Sequence, residues 1–72
     1  MGINPAGYRK LVGLTQKDLA EKFGVSIQSI SRKENGQSSY SDEEKIIFRD
    51  LVRENGLPDI TIDVIFFKWK VS

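Results

Sequence analysis

The acidic residues are the first candidates for chemistry. Asp59 and Asp63 stand four residues apart and could flank a metal ion. Two carboxylates without further ligands make a poor site, because hard cations need six or more oxygens. Asp42, Glu43 and Glu44 are consecutive, but they sit where a helix begins, and negative charge there complements the helix dipole. The chain has no His and no Cys. That removes the commonest general base, the commonest metal ligand and every disulfide. Its Ser and Thr residues fall at helix caps, with no His to activate them as nucleophiles. No Gly-rich phosphate loop is present. The pattern points away from an enzyme, from a metal and from a cofactor.

Charge is more informative. The net charge is +1, but it is unevenly spread. Residues 1–40 carry Arg9, Lys10, Lys17, Lys22, Arg32 and Lys33 against Asp18, Glu21 and Glu34, a balance of +3. Residues 41–72 balance at −2. A basic half is compatible with nucleic acid, although weak beside strongly basic DNA binders.

The 72 residues suffice for one domain. With 39% hydrophobic and 29% charged residues, the composition is that of a folded globular chain rather than a disordered one. A core of this size rarely supplies more than about 3–5 kcal/mol of net stability. No apolar run approaches the roughly 20 residues that span a bilayer. Met1–Pro5 lacks the basic and apolar regions of a signal peptide. The expectation is a cytoplasmic protein with no membrane partner.

Local punctuation divides the chain into five segments. Asn4 and Pro5 read as cap and first residue of a helix over about 5–12, stopped by Gly13. Thr15 opens a second helix, with Asp18 in the position of a capping-box partner. Leu19, Ala20 and Phe23 are its apolar stripe, and Gly24 ends it. Ser26 caps a third helix over about 27–34, with Ile27 and Ile30 apolar and Asn35-Gly36 closing it. Ser41 and Glu44 form a capping box for a fourth helix whose apolar face is Ile46, Ile47, Phe48, Leu51 and Val52. Asn55-Gly56 and Pro58 end it.

The last segment, 57–72, admits two readings. As a strand its phase fails, because Lys68 and Lys70 continue the face of Ile60, Ile62, Val64 and Phe66. As a helix, Leu57, Ile60, Val64, Phe67 and Val71 keep helical spacing. Its β-branched content favours the strand. A helix is expected, with a strand as the alternative.

The second and third helices carry a specific arrangement over residues 15–36. Ala20 is small where two helices cross closely. Gly24 permits the sharp turn that sets helices at a large angle. Val25 and Ile30 join the two helices. The third helix then offers its N-terminal side chains outward, as proteins do when they place residues in a major groove. Leu14-Thr15-Gln16, Leu19-Ala20, Gly24-Val25-Ser26 and Ile30-Ser31-Arg32-x-Glu34-Asn35-Gly36 together resemble the Cro and phage-repressor class of helix-turn-helix proteins. The resemblance implies an all-α, small five-helix domain spanning 1–72.

The resemblance also implies roles. Gln16 corresponds to a glutamine that braces a DNA phosphate and a neighbouring side chain. Gln28 and Ser29 fall where base edges are usually met, and glutamine can pair bidentately with adenine. Lys17 and Arg32 would meet phosphates. Two positions depart from the pattern. Ile27 is the first outward residue of the third helix, where polar residues are usual. Lys33 stands where an apolar, core-facing residue is usual. An exposed isoleucine can touch a thymine methyl or anchor a protein contact. The partner- or DNA-binding set is therefore Gln16, Lys17, Ile27, Gln28, Ser29, Arg32 and Lys33.

At the C-terminal end, Val64, Phe67 and Val71 are expected to complete the core. Ile62, Phe66 and Trp69 are then left to face a partner, with Phe66 and Trp69 as a secondary interface, since Trp is favoured at interface centres. The whole sequence, including its length, also resembles antirepressors from the genetic switches of temperate lactococcal phages. That likeness implies a bacteriophage transcription regulator in the bacterial host cytoplasm. Its partner would be the N-terminal DNA-binding domain of the phage repressor. The alternative is a Cro-like repressor that binds operator DNA, directly or together with the repressor.

Overall fold

Side chains at the helix starts decide where the chain coils. The computed structural model describes residues 4–67. Asn4 Oδ1 accepts the Gly7 N–H at 2.8 Å and starts α1, Pro5–Leu11. Thr15 and Asp18 form a reciprocal capping box before α2, Gln16–Phe23. Ser26 Oγ accepts the Ser29 N–H at 3.1 Å and starts α3, Ile27–Glu34. Ser41 and Glu44 repeat the box before α4, Asp42–Glu54. Each cap satisfies backbone donors that the first helical turn leaves without partners.

Gly24 makes the turn between α2 and α3. Its φ of 74° lies in the left-handed region, which costs other residues roughly 1–2 kcal/mol. Gly24 and Val25 both donate their N–H groups to Ala20 O, at 2.9 and 3.0 Å. The chain therefore leaves α2 abruptly and enters α3 after only two further residues.

Leu19, Ile30, Phe48, Val52 and Ile65 are fully buried, and Ala20, Leu51, Phe66 and Tyr8 nearly so. Full burial of a large apolar side chain is worth roughly 1.5–3 kcal/mol. α2 lies against both α3 and α4. An aromatic group fills the space beside α4. The rings of Phe48 and Phe66 meet edge-on at 5.5 Å between centroids, and Tyr40 lies 4.9 Å from Phe66. No helix among the described residues is long and apolar enough to cross a membrane.

The described part of the closing segment is turn and irregular chain over 57–61, where the expected helix does not form, and helical only after that, and no strand occurs among the described residues. It forms a single π-helical turn, Asp63–Phe67, which packs against α1. This corrects the expected core stripe. Ile65 and Phe66 are buried, whereas Phe67 is 52% exposed. A stripe drawn at 3.6 residues per turn loses its phase when the backbone winds with i→i+5 bonding. Phe66 is therefore a core residue and is withdrawn from the secondary interface. Trp69 and Val71 lie outside the described residues. Arg53 Nε donates to Ile60 O at 2.7 Å and fastens the preceding turn to α4.

Candidate partner and nucleic-acid interface

The face under consideration is built on α2 and α3. The caps and Gly24 fix where the two helices begin and how they are joined. Leu19, Ala20 and Ile30, all buried, hold them together. What remains outward on α3 is Ile27, 47% exposed, with Gln28 and Arg32 also exposed. Lys17 is exposed in the first turn of α2. Ser29 is half-buried, and its hydroxyl lies 3.3 Å from Ser26 Oγ, within the helix cap.

Gln16 is held from within. Its Nε2 donates to Glu34 Oε1 at 2.9 Å. Glu34 is the hub of a buried network. Arg9 Nε donates to Glu34 Oε2 at 2.6 Å, and Arg9 Nη1 donates to Leu14 O at 2.9 Å. Arg9 and Glu34 side chains are only 9% and 8% exposed. Charge-assisted bonds of this kind are short and directional. They tie α1, the start of α2 and the end of α3 into one unit. The sequence reading did not single out Arg9 or Glu34. A signal was present: Glu34 follows the buried Ile30 by four residues, so it shares the inward face of α3.

Lys33 is also turned inward, which corrects its placement in the contact set. Its Nζ lies 3.0 Å from Glu44 Oε1 and 5.8 Å from the centroid of the Tyr40 ring. A lysine can occupy an inward position because its long stem carries the ammonium to a partner. The Tyr40 hydroxyl is buried and has no hydrogen-bond partner among the described residues. Burial, reinforced by the Glu34 charge, pushes the Tyr40 phenol above its ordinary pKa. It therefore stays protonated.

Asp59 and Asp63 are both exposed. Among the described residues no three His, Cys, Asp or Glu side chains gather as a metal site.

A family model described as helix-turn-helix matches residues 7–44. This chain belongs to the helix-turn-helix family. The match runs from within α1 to the start of α4, so the buried network and the α2–Gly24–α3 turn all fall within it. No curated protein and no solved structure matches the chain. The family is one of DNA-binding transcription regulators, XRE-type in its helix-turn-helix. In such proteins the first turns of the second motif helix address the groove, and here that position holds Ile27 and Gln28.

Proposed function

We propose that the protein is an antirepressor in the lytic/lysogenic switch of a phage. It binds the DNA-binding domain of the phage repressor through α3 and keeps that domain from its operators. The observation that carries this reading is the exposed Ile27 at the front of α3. An exposed branched aliphatic beside a neutral Gln28 suits the dry centre of a protein contact, where charged residues are depleted.

The distribution of cations supports the same reading. DNA affinity comes largely from neutralised phosphates. Arg9 is committed to Glu34 and Lys33 to Glu44. Lys10, Lys17, Lys22 and Arg32 remain exposed on residues 1–40. That is a small set beside the roughly 6–10 phosphate contacts of strongly salt-dependent binders.

Membership of a DNA-binding family favours a second reading, a Cro-like repressor on operator DNA. Two binding assays on purified protein separate the two. The antirepressor reading expects a stable complex with the repressor's N-terminal domain and weak binding to operator DNA alone. Tight, salt-sensitive, sequence-specific operator binding without repressor sinks it, as does failure to co-purify with the repressor domain. Ile27→Glu is expected to abolish the complex while helical circular dichroism is unchanged. Survival of the complex would remove α3 from the contact.

A further inference from the structure

Lys33 belongs neither to the apolar core nor to the outward face of α3. An ammonium at an inward helix position is costly unless it is paired. Here Nζ lies 3.0 Å from Glu44 Oε1 and donates to Ser39 O at 3.0 Å. The same Glu44 oxygen accepts the Ser41 backbone N–H at 2.9 Å. A single carboxylate oxygen therefore joins the last turn of α3 to the cap of α4, and the ammonium holds the intervening loop as well. The next residue, Glu34, reaches different elements, Arg9 of α1 and Gln16 of α2. Adjacent opposite charges grip the end of α3.

We propose that Lys33 is a positioning residue: its bonds to Glu44 and Ser39 set the pose of α3 and of loop 35–41, and with it the affinity of the α3 face for its protein partner. The affinity part rests on α3 being the contact face. Stability is the lesser part of what this ion pair supplies. Desolvation offsets much of the attraction between buried charges, and apolar replacement of both members of such a pair often serves the fold as well. An apolar contact is non-directional. The lysine instead connects two named oxygens on two different segments, which fixes how the loop and the helix end lie against α4.

Lys33→Met removes the charge and keeps most of the volume. Its thermal midpoint is expected to fall, because Glu44, with its side chain 14% exposed, keeps its charge without the ammonium. The bonded loop amides, Gln37 to Arg32 O and Ser41 to Glu44 Oε1, are expected to exchange with solvent about tenfold faster, and the dissociation constant for the repressor domain to rise about tenfold, a common size for coupling between contacting groups. Glu44→Gln keeps an acceptor for the Ser41 N–H but removes the ion pair, and it is expected to behave alike. It decides the matter if Lys33→Met fails to fold. Folded variants with wild-type exchange and wild-type affinity overturn the proposal. So does a loss of affinity no larger than the unfolded fraction, which would make Lys33 structural only. If the wild-type chain does not bind the repressor domain, the reading of α3 fails separately. Loop exchange then decides alone: faster exchange upholds the positioning role, and unchanged exchange overturns it.

Discussion

Arg9→Ala is the sharpest test of what holds the motif together. The substitution leaves Glu34, with its side chain only 8% exposed, without its cationic partner. Gln16 Nε2 remains as a neutral donor. Leu14 O loses the Arg9 donor as well. Removing one member of a buried ion pair costs about 3–5 kcal/mol, because the remaining charge is uncompensated. A core of this size has about 3–5 kcal/mol in all. Most molecules of the variant should therefore be unfolded at 25 °C in buffer, as read by far-ultraviolet circular dichroism across a urea titration. The double variant Arg9→Met with Glu34→Leu removes both charges and keeps the volume. It should recover most of the loss, since apolar replacement of a buried pair is often neutral or better. The reasoning is refuted if Arg9→Ala costs less than about 1 kcal/mol, the range of an exposed pair. It is equally refuted if the double variant is as unstable as the single one.

Other perturbations probe the caps and the aromatic group. The Thr15 backbone N–H, followed by the Thr15 side chain, holds the Asp18 carboxyl below its ordinary pKa. A depressed carboxylate stabilises the fold above its unfolded pKa, and that contribution is lost as pH falls through the folded value. The urea midpoint should therefore drop as the solution is acidified below about pH 4, and the drop should be shallower in Asp18→Asn. The Tyr40 hydroxyl is buried without a partner among the described residues. Tyr40→Phe should consequently be as stable as the wild type or more stable by up to about 1 kcal/mol, measured by thermal denaturation; a loss of similar size would show that the hydroxyl is hydrogen-bonded in solution.

The aromatic group also explains why one end of the molecule was harder to read from sequence than the other. α1 to α4 are bounded by side chains acting on backbone within four residues. Asn4, Thr15, Ser26 and Ser41 each accept an N–H three positions ahead. Local chemistry of that kind is visible in the order of residues alone, and the helix boundaries expected from it agree with the structure to about one residue. The closing turn is capped as well, Thr61 Oγ1 accepting the Val64 N–H at 3.3 Å, but a cap does not decide which residues face inward. Its inward residues were chosen by what they meet: Phe66 packs against Phe48 and Tyr40, rings carried 18 and 26 positions earlier. That contact reset the phase and left Phe67 outside.

The contact face divides the same way. The sequence determined that α2 and α3 are joined by a tight glycine turn, that Ala20 and Ile30 face inward, and that Ile27 and Gln28 face outward. Each of these follows from residue size, periodicity or a φ that only glycine adopts easily. Only the tertiary structure decided what the charges do. Lys33 and Glu34 are neighbours in sequence, yet one reaches Glu44 and the other reaches Arg9. Their partners lie 11 and 25 residues away, and an ion pair is made by proximity in space. Which cations the motif keeps for a partner was therefore settled by packing.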